Sequence, residues 1–147
     1  MVGEPVQVLL IEDNDDHAEL ITRQLADHRI ANRIFRLSDG QEALDYMFHK
    51  GKYSNPEKKE EPHVVFLDLR LPKVDGLEVL RLMKESEELR KIPVVILTTS
   101  EAERDVARAY HYHANSYVVK PVDYEKFRAL MNDLGFYWMS WNTYPYK

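Results

Sequence analysis

The chain has 147 residues, 44% of them apolar and 31% charged, with a formal net charge of −5, which suits one domain with a sizeable core. It holds no cysteine, which excludes disulfides, thiolate nucleophiles and Cys-ligated metal sites, and its acidic balance argues against a nucleic-acid binder, which needs clustered Lys and Arg. Met1-Val2-Gly3-Glu4-Pro5 lacks the basic and apolar regions of a signal peptide, and no stretch approaches the roughly 20 apolar residues of a bilayer span, so a cytoplasmic protein with no membrane partner is expected.

The first strand is expected over 6–11, where Val8-Leu9-Leu10-Ile11 is a continuous apolar run, and Glu12-Asp13-Asn14-Asp15-Asp16 follow at once. Ala18, Ile21 and Leu25 then repeat at helical spacing. A strand over 32–37 leads to a helix marked by Ala43, Leu44, Met47 and Phe48. Residues 50–62, KGKYSNPEKKEEP, are polar, hold two prolines and read as a loop. A third strand over 63–67 contains Val64-Val65-Phe66-Leu67 and runs into Asp68; Val79, Leu80, Leu82 and Met83 mark the helix after it. A fourth strand over 93–97 leads to Thr98-Thr99-Ser100 and a weaker helix marked by Val106, Ala109, Tyr110 and His113. The last strand, 116–119, precedes Lys120-Pro121 and a helix marked by Phe127, Leu130, Met131 and Leu134. Continuous apolar runs suit strands buried on both faces of a parallel sheet. Alternation with helices implies βαβ units with right-handed crossovers. The expectation is an α/β fold, a (βα)5 three-layer sandwich whose strand order the periodicity leaves open.

A compositional anomaly closes the chain. Residues 136–147 hold six of its 16 aromatics, including both tryptophans. Residues 6–137 are expected to form the domain and 138–147 an aromatic tail. Exposed aromatic clusters are common at interfaces, where Trp and Tyr act as anchors, so Phe136, Tyr137, Trp138 and Trp141 are expected to join two copies. The alternative is a tail folded back on its own domain.

In parallel α/β sheets, ligands bind at the carboxyl ends of the strands. Glu12, Asp13, Asp68, Thr98 and Lys120 all fall on that edge. Each has an ordinary reading: the acids after the first strand can cap a helix, Ser100 and Glu103 can form a capping box, and Lys120 can be a surface lysine. Together they support phosphoryl transfer to a carboxylate. Asp68 is then the nucleophile, and Glu12 and Asp13 are the acidic pair for a hard divalent cation, Mg²⁺. Lys120 and Thr98 meet the phosphoryl oxygens.

The motifs LLIEDN (9–14), DGQEAL (39–44), FLDLRLPKVDG (66–76), PVVILTTS (93–100) and YVVKP (117–121) resemble those of response-regulator receiver domains of two-component signalling. The resemblance implies a flavodoxin-like fold with sheet order 2-1-3-4-5. It makes Asp68 the phospho-acceptor and Glu12, Asp13, Asp68 and the backbone carbonyl of Arg70 the metal ligands. Thr98 and Lys120 become the phosphoryl contacts, with Thr98 and Tyr117 as a switch and a cis bond before Pro121. The Arg70 side chain is long enough to cover the phosphoryl group or to point to solvent. Loop 50–62, with GKYSNP inside it, and the aromatic tail resemble single-domain regulators paired with bacterial phytochromes. A sensor histidine kinase, of phytochrome type, and a homodimer are thereby implied, for a signalling protein that promotes its own phosphorylation and dephosphorylation. The alternative function is an intermediate phosphoryl carrier in a phosphorelay. A haloacid-dehalogenase-like enzyme is disfavoured because Arg70 stands where a second Asp is needed. A flavin-binding module leaves the three acids unexplained, and a degenerate receiver is at odds with an intact acid, hydroxyl and lysine set.

Overall fold

The computed structural model describes residues 5–27, 32–55 and 61–145. The start of the chain, loop residues 56–60, and Tyr146 and Lys147 of the aromatic tail lie outside the described residues. Five parallel strands, β1 (Val6–Ile11), β2 (Asn32–Leu37), β3 (Val64–Leu67), β4 (Val94–Thr98) and β5 (Ser116–Val119), form one sheet in the order β2-β1-β3-β4-β5. The helices are α1 (Asp15–Ala26), α2 (Gly40–Met47), α3 (Gly76–Glu85), α4 (Glu103–His111) and α5 (Tyr124–Phe136). This is the expected three-layer, flavodoxin-like arrangement.

The apolar runs divide between two cores because side chains alternate along a strand. Leu9, Ile11, Val65, Leu67, Val94 and Ile96 face α2, α3 and α4, meeting Ala43, Met47, Leu80, Met83 and Ala109. Val8, Leu10, Val64, Phe66, Val95 and Leu97 face α1 and α5, meeting Ile21, Leu25, Phe127 and Met131. Each large apolar side chain so buried contributes roughly 1.5–3 kcal/mol of transfer free energy. Side-chain caps start four helices: Asn14, Asp39, Asp75 and Asp123 accept from the amides of His17, Glu42, Leu77 and Lys126.

Several expectations need correction. Strand β3 begins one residue late because the amide of Gln7 donates to the His63 ring (2.9 Å) instead of to a backbone carbonyl. In α4, Tyr110 is half exposed and His113 lies beyond the helix at a φ of 68°. The buried positions of that helix are Asp105 and Ala109, so an acid occupies the stripe where apolar residues were expected. No capping box forms at Ser100 and Glu103: the N-cap of α4 is Ala102, and the Ser100 hydroxyl donates to Asp105 instead (2.6 Å). Among the described residues there is no cis peptide bond, so the bond before Pro121 is trans, the form that X–Pro amides favour.

The tail divides. Tyr137–Trp141 continues α5 as a π-helical turn. Trp138 and Met139 turn inward and complete the core beneath α1 and α5. Tyr144 packs against His63 and donates its hydroxyl to the Trp138 carbonyl (2.6 Å). Phe136, Tyr137 and Trp141 face outward, 53%, 50% and 74% exposed. Trp138 was expected at an interface between copies. It is buried in its own domain because the π turn rotates it toward the sheet.

Candidate functional site

The sheet register assembles the site. Ile11 pairs with Leu67 and Thr98 with Val119, so the next residues, Glu12, Asp68 and Lys120, emerge side by side. Backbone bonds prolong the ladder past the strand ends: Asp68 N–H to Ile11 O (3.0 Å), Glu12 N–H to Leu37 O (3.0 Å) and Lys120 N–H to Thr98 O (2.7 Å).

Two glycines hold the loop that carries Asp68. A Cβ on Gly76 would lie 2.2 Å from the Asp68 carbonyl oxygen and 2.6 Å from Leu69 Cα; one on Gly40 would lie 1.9 Å from the Val74 carbonyl oxygen. Neither glycine is needed for a left-handed φ. They are needed because backbone passes too close for any side chain. The Asp-Gly pairs at 39–40 and 75–76 therefore join a helix cap to a contact point, and alanine at either glycine must displace the loop.

Lys120 is the hub. Its ammonium lies 2.5 Å from Glu12 Oε1, 2.9 Å from Asp68 Oδ2 and 3.0 Å from His17 Nδ1. Lys120, Glu12, Thr98 and Asp68 are buried, and Asp13 is exposed. Asp68 also accepts from the amide of Arg70 (3.2 Å).

The two buried acids differ in protonation. Burial pushes Glu12 up to about 7, and the repulsion of Asp68 adds to this against the pull of Lys120. Burial also acts to raise Asp68, but the Lys120 ammonium and the hydrogen bonds from Lys120, Thr98 and Arg70 outweigh it and hold Asp68 below the usual range. Asp68 is thus the ionised partner, and Glu12 takes up a proton first. Ligand oxygens of Glu12, Asp13 and Asp68 lie within 4.8 Å of one another. Three hard oxygen donors of this kind fit a small divalent cation.

Sequence reasoning missed two participants. His17, in the first turn of α1, reaches Lys120 across 103 positions of chain. Asp105 receives both Arg70 (2.8 Å) and Ser100 (2.6 Å), so Arg70 neither covers Asp68 nor points freely to solvent but reaches across to α4. Tyr117, half-buried, donates its hydroxyl to the Ser100 carbonyl (2.9 Å), which places it one residue pair from the same network. An acid spaced four residues from Ala109 was the available signal for Asp105; for His17 there was only its place in the first turn after the acidic pair.

Comparison with known proteins agrees with this geometry. Residues 8–132 match the response regulator receiver domain. The chain is 46% identical over 143 residues to the probable methanogenesis regulatory protein FilR2 of Methanothrix harundinacea, covering 97% of this chain and 89% of that one. It is 34% identical to the response regulator Rcp1 of Synechocystis, covering 96% of this chain and 94% of that one. The crystal structure of the Mn²⁺-bound form of Rcp1 superposes with a TM-score of 0.92, covering 97% and 100% of the two chains. The phosphorylated cyanobacterial phytochrome response regulator RcpA, 34% identical, superposes with a TM-score of 0.91 at the same coverage. Among the described residues, no helix is long and apolar enough to cross a membrane.

Proposed function

Since the chain belongs to the response-regulator receiver family, we propose that Asp68 takes a phosphoryl group from a phosphohistidine of a sensor histidine kinase and that the protein signals through protein contacts in the cytoplasm. The observation that carries this reading is the ammonium of Lys120 between Glu12 and an ionised Asp68, with Asp13 alongside. One Asp68 oxygen attacks phosphorus, the P–N bond of the donor breaks, and the imidazole leaves with the bonding pair. Lys120 Nζ and the Thr98 hydroxyl meet the charge on the phosphoryl oxygens. Glu12, Asp13, Asp68 and the carbonyl of Arg70 would hold Mg²⁺, which supplies charge neutralisation when bound. The same groups serve hydrolysis of the acyl phosphate, so the protein promotes both its own phosphorylation and its own dephosphorylation. As Thr98 turns toward the phosphoryl group, Tyr117 gains room to leave its Ser100 contact, a two-state shift that the phosphate biases. A phytochrome-type kinase is the donor that the likeness to RcpA favours.

The test is incubation with acetyl phosphate and Mg²⁺, followed by intact mass. Wild type should gain one phosphoryl group and Asp68→Asn none. Equal labelling of the two proteins would overturn the assignment of Asp68, and turnover of acetyl phosphate without an adduct would favour a phosphatase.

A second copy of the chain is the partner we assign to the outward aromatics. Phe136, Tyr137 and Trp141 present three large exposed rings within six residues, a density suited to an interface core. Sedimentation at micromolar concentration should give a dimer for wild type and a monomer for the full chain carrying Tyr137→Asp and Trp141→Asp. A wild-type monomer, with and without a phosphoryl mimic, would remove the dimer.

A further inference from the structure

We propose that His17 is the positioning residue of Lys120, a neutral acceptor that holds the ammonium in place without cancelling its charge. The inference rests on the reading of Asp68 as phospho-acceptor and deepens it.

An ammonium has three N–H donors and no acceptor. Those of Lys120 have three neighbours: Glu12 Oε1, Asp68 Oδ2 and His17 Nδ1. Lys120 can only donate to the imidazole, so Nδ1 accepts and the ring is neutral, with its proton on Nε2. Burial and the ammonium both lower the His17 pKa, against the carboxylates of Asp68, Asp16 and Asp13, which raise it. The residue is held at its backbone and at its ring. Its backbone amide donates to the Asn14 cap (3.0 Å), and the ring of Phe127 on α5 meets it edge-on, 5.4 Å between centroids at 70°.

The three partners differ in what the reaction asks of them. Asp68 becomes esterified to phosphorus. Glu12 belongs to the acidic group assigned to the cation. His17 alone has no other duty, so it stays with Lys120 while the ammonium turns from carboxylate to phosphoryl oxygen. Its neutrality matters. A carboxylate in its place would satisfy the same N–H but would offset the positive charge that the phosphoryl group needs and would repel the incoming anion.

Three variants separate these properties, assayed as the rate of labelling by acetyl phosphate at saturating Mg²⁺. His17→Asn puts a neutral oxygen acceptor near the place of Nδ1, His17→Asp has the same shape with a charge, and His17→Leu has no acceptor. Loss of a hydrogen bond to a charged group predicts labelling about tenfold slower in His17→Leu. His17→Asp should be at least as slow, and His17→Asn should recover most of the loss. In wild type, ¹⁵N NMR at neutral pH should find His17 neutral with the proton on Nε2. The proposal is overturned if His17→Asn is as slow as His17→Leu, which would make the ring a packing element against Phe127. It is equally overturned if His17→Asp matches His17→Asn, if all four proteins label alike, or if the ring proves to carry a proton on Nδ1. Asp68→Asn runs in parallel: its labelling would overturn the phospho-acceptor reading, whereas a flat His17 series on a protein labelled only at Asp68 overturns the role of His17 alone.

Discussion

Chelation of divalent cations should slow phosphorylation of Asp68 by at least about a hundredfold. Glu12, Asp13 and Asp68 place ligand oxygens within 4.8 Å of one another, and the Lys120 ammonium is already shared between Glu12 and Asp68. An incoming phosphoryl group adds further negative charge. At an effective dielectric constant of about 20, two unit charges about 5 Å apart repel by about 3 kcal/mol, and each 1.4 kcal/mol in the barrier is about tenfold in rate. A single uncompensated pair therefore suffices for the effect. The measurement is the initial rate of labelling across a Mg²⁺ titration and in excess EDTA. Full labelling in EDTA would refute the metal requirement. Asp13→Asn should raise the Mg²⁺ concentration needed without unsettling the fold, because Asp13 is the exposed member of the group.

Lys120→Met should produce the largest loss of stability. The variant leaves Glu12 and Asp68 buried without the cation that faces both, and breaking a buried pair from one side costs about 3–5 kcal/mol. The sign with pH follows from the two acids. In wild type, burial raises Glu12 from 4.5 to about 7, so the folded state binds the extra proton and stability falls as pH rises through that window. Asp68 is depressed from 3.8; its contribution is present above that value and is lost as pH falls through the folded pKa. Lys120 lowers both groups, so its removal raises both, and the folded variant carries more protons. The deficit relative to wild type should be greatest near pH ~8 and shrink toward pH ~5, where protonation relieves the unpaired acids. Urea unfolding of both proteins at the two pH values measures it. A deficit that does not change with pH would mean that Lys120 stabilises by packing its stem and not by its charge.

Much of this molecule was legible because its signals are local. A run such as Val64-Val65-Phe66-Leu67 suits a strand covered on both faces of a parallel sheet, and the residue following such a strand sits at the sheet edge. Glu12, Asp68, Thr98 and Lys120 could therefore be assigned to one site from their places after four runs. Capping is local as well: Asn14, Asp39, Asp75 and Asp123 each bond an amide two or three residues on.

What local pattern could not assign were the directions of side chains whose partners lie far along the chain. Trp138 looked like its exposed neighbours in composition, and only the π turn after α5 sends it into the core while Trp141 faces solvent. Arg70 finds Asp105 across 35 positions, and Lys120 finds His17 across 103. Strand order is of the same kind, because periodicity is identical for every permutation of five buried strands. The sequence by itself determined which segments are strands and helices, and the strand ends to within one residue, since hydrophobic period and capping act within a few residues. The place of β1 between β2 and β3 was implied by the motif resemblance and not by periodicity; only the tertiary structure decided that Asp105 anchors Arg70 and that a histidine completes the shell of Lys120. Those contacts exist only after chain closure has brought distant backbones within hydrogen-bonding range, where geometry rather than propensity selects the partner.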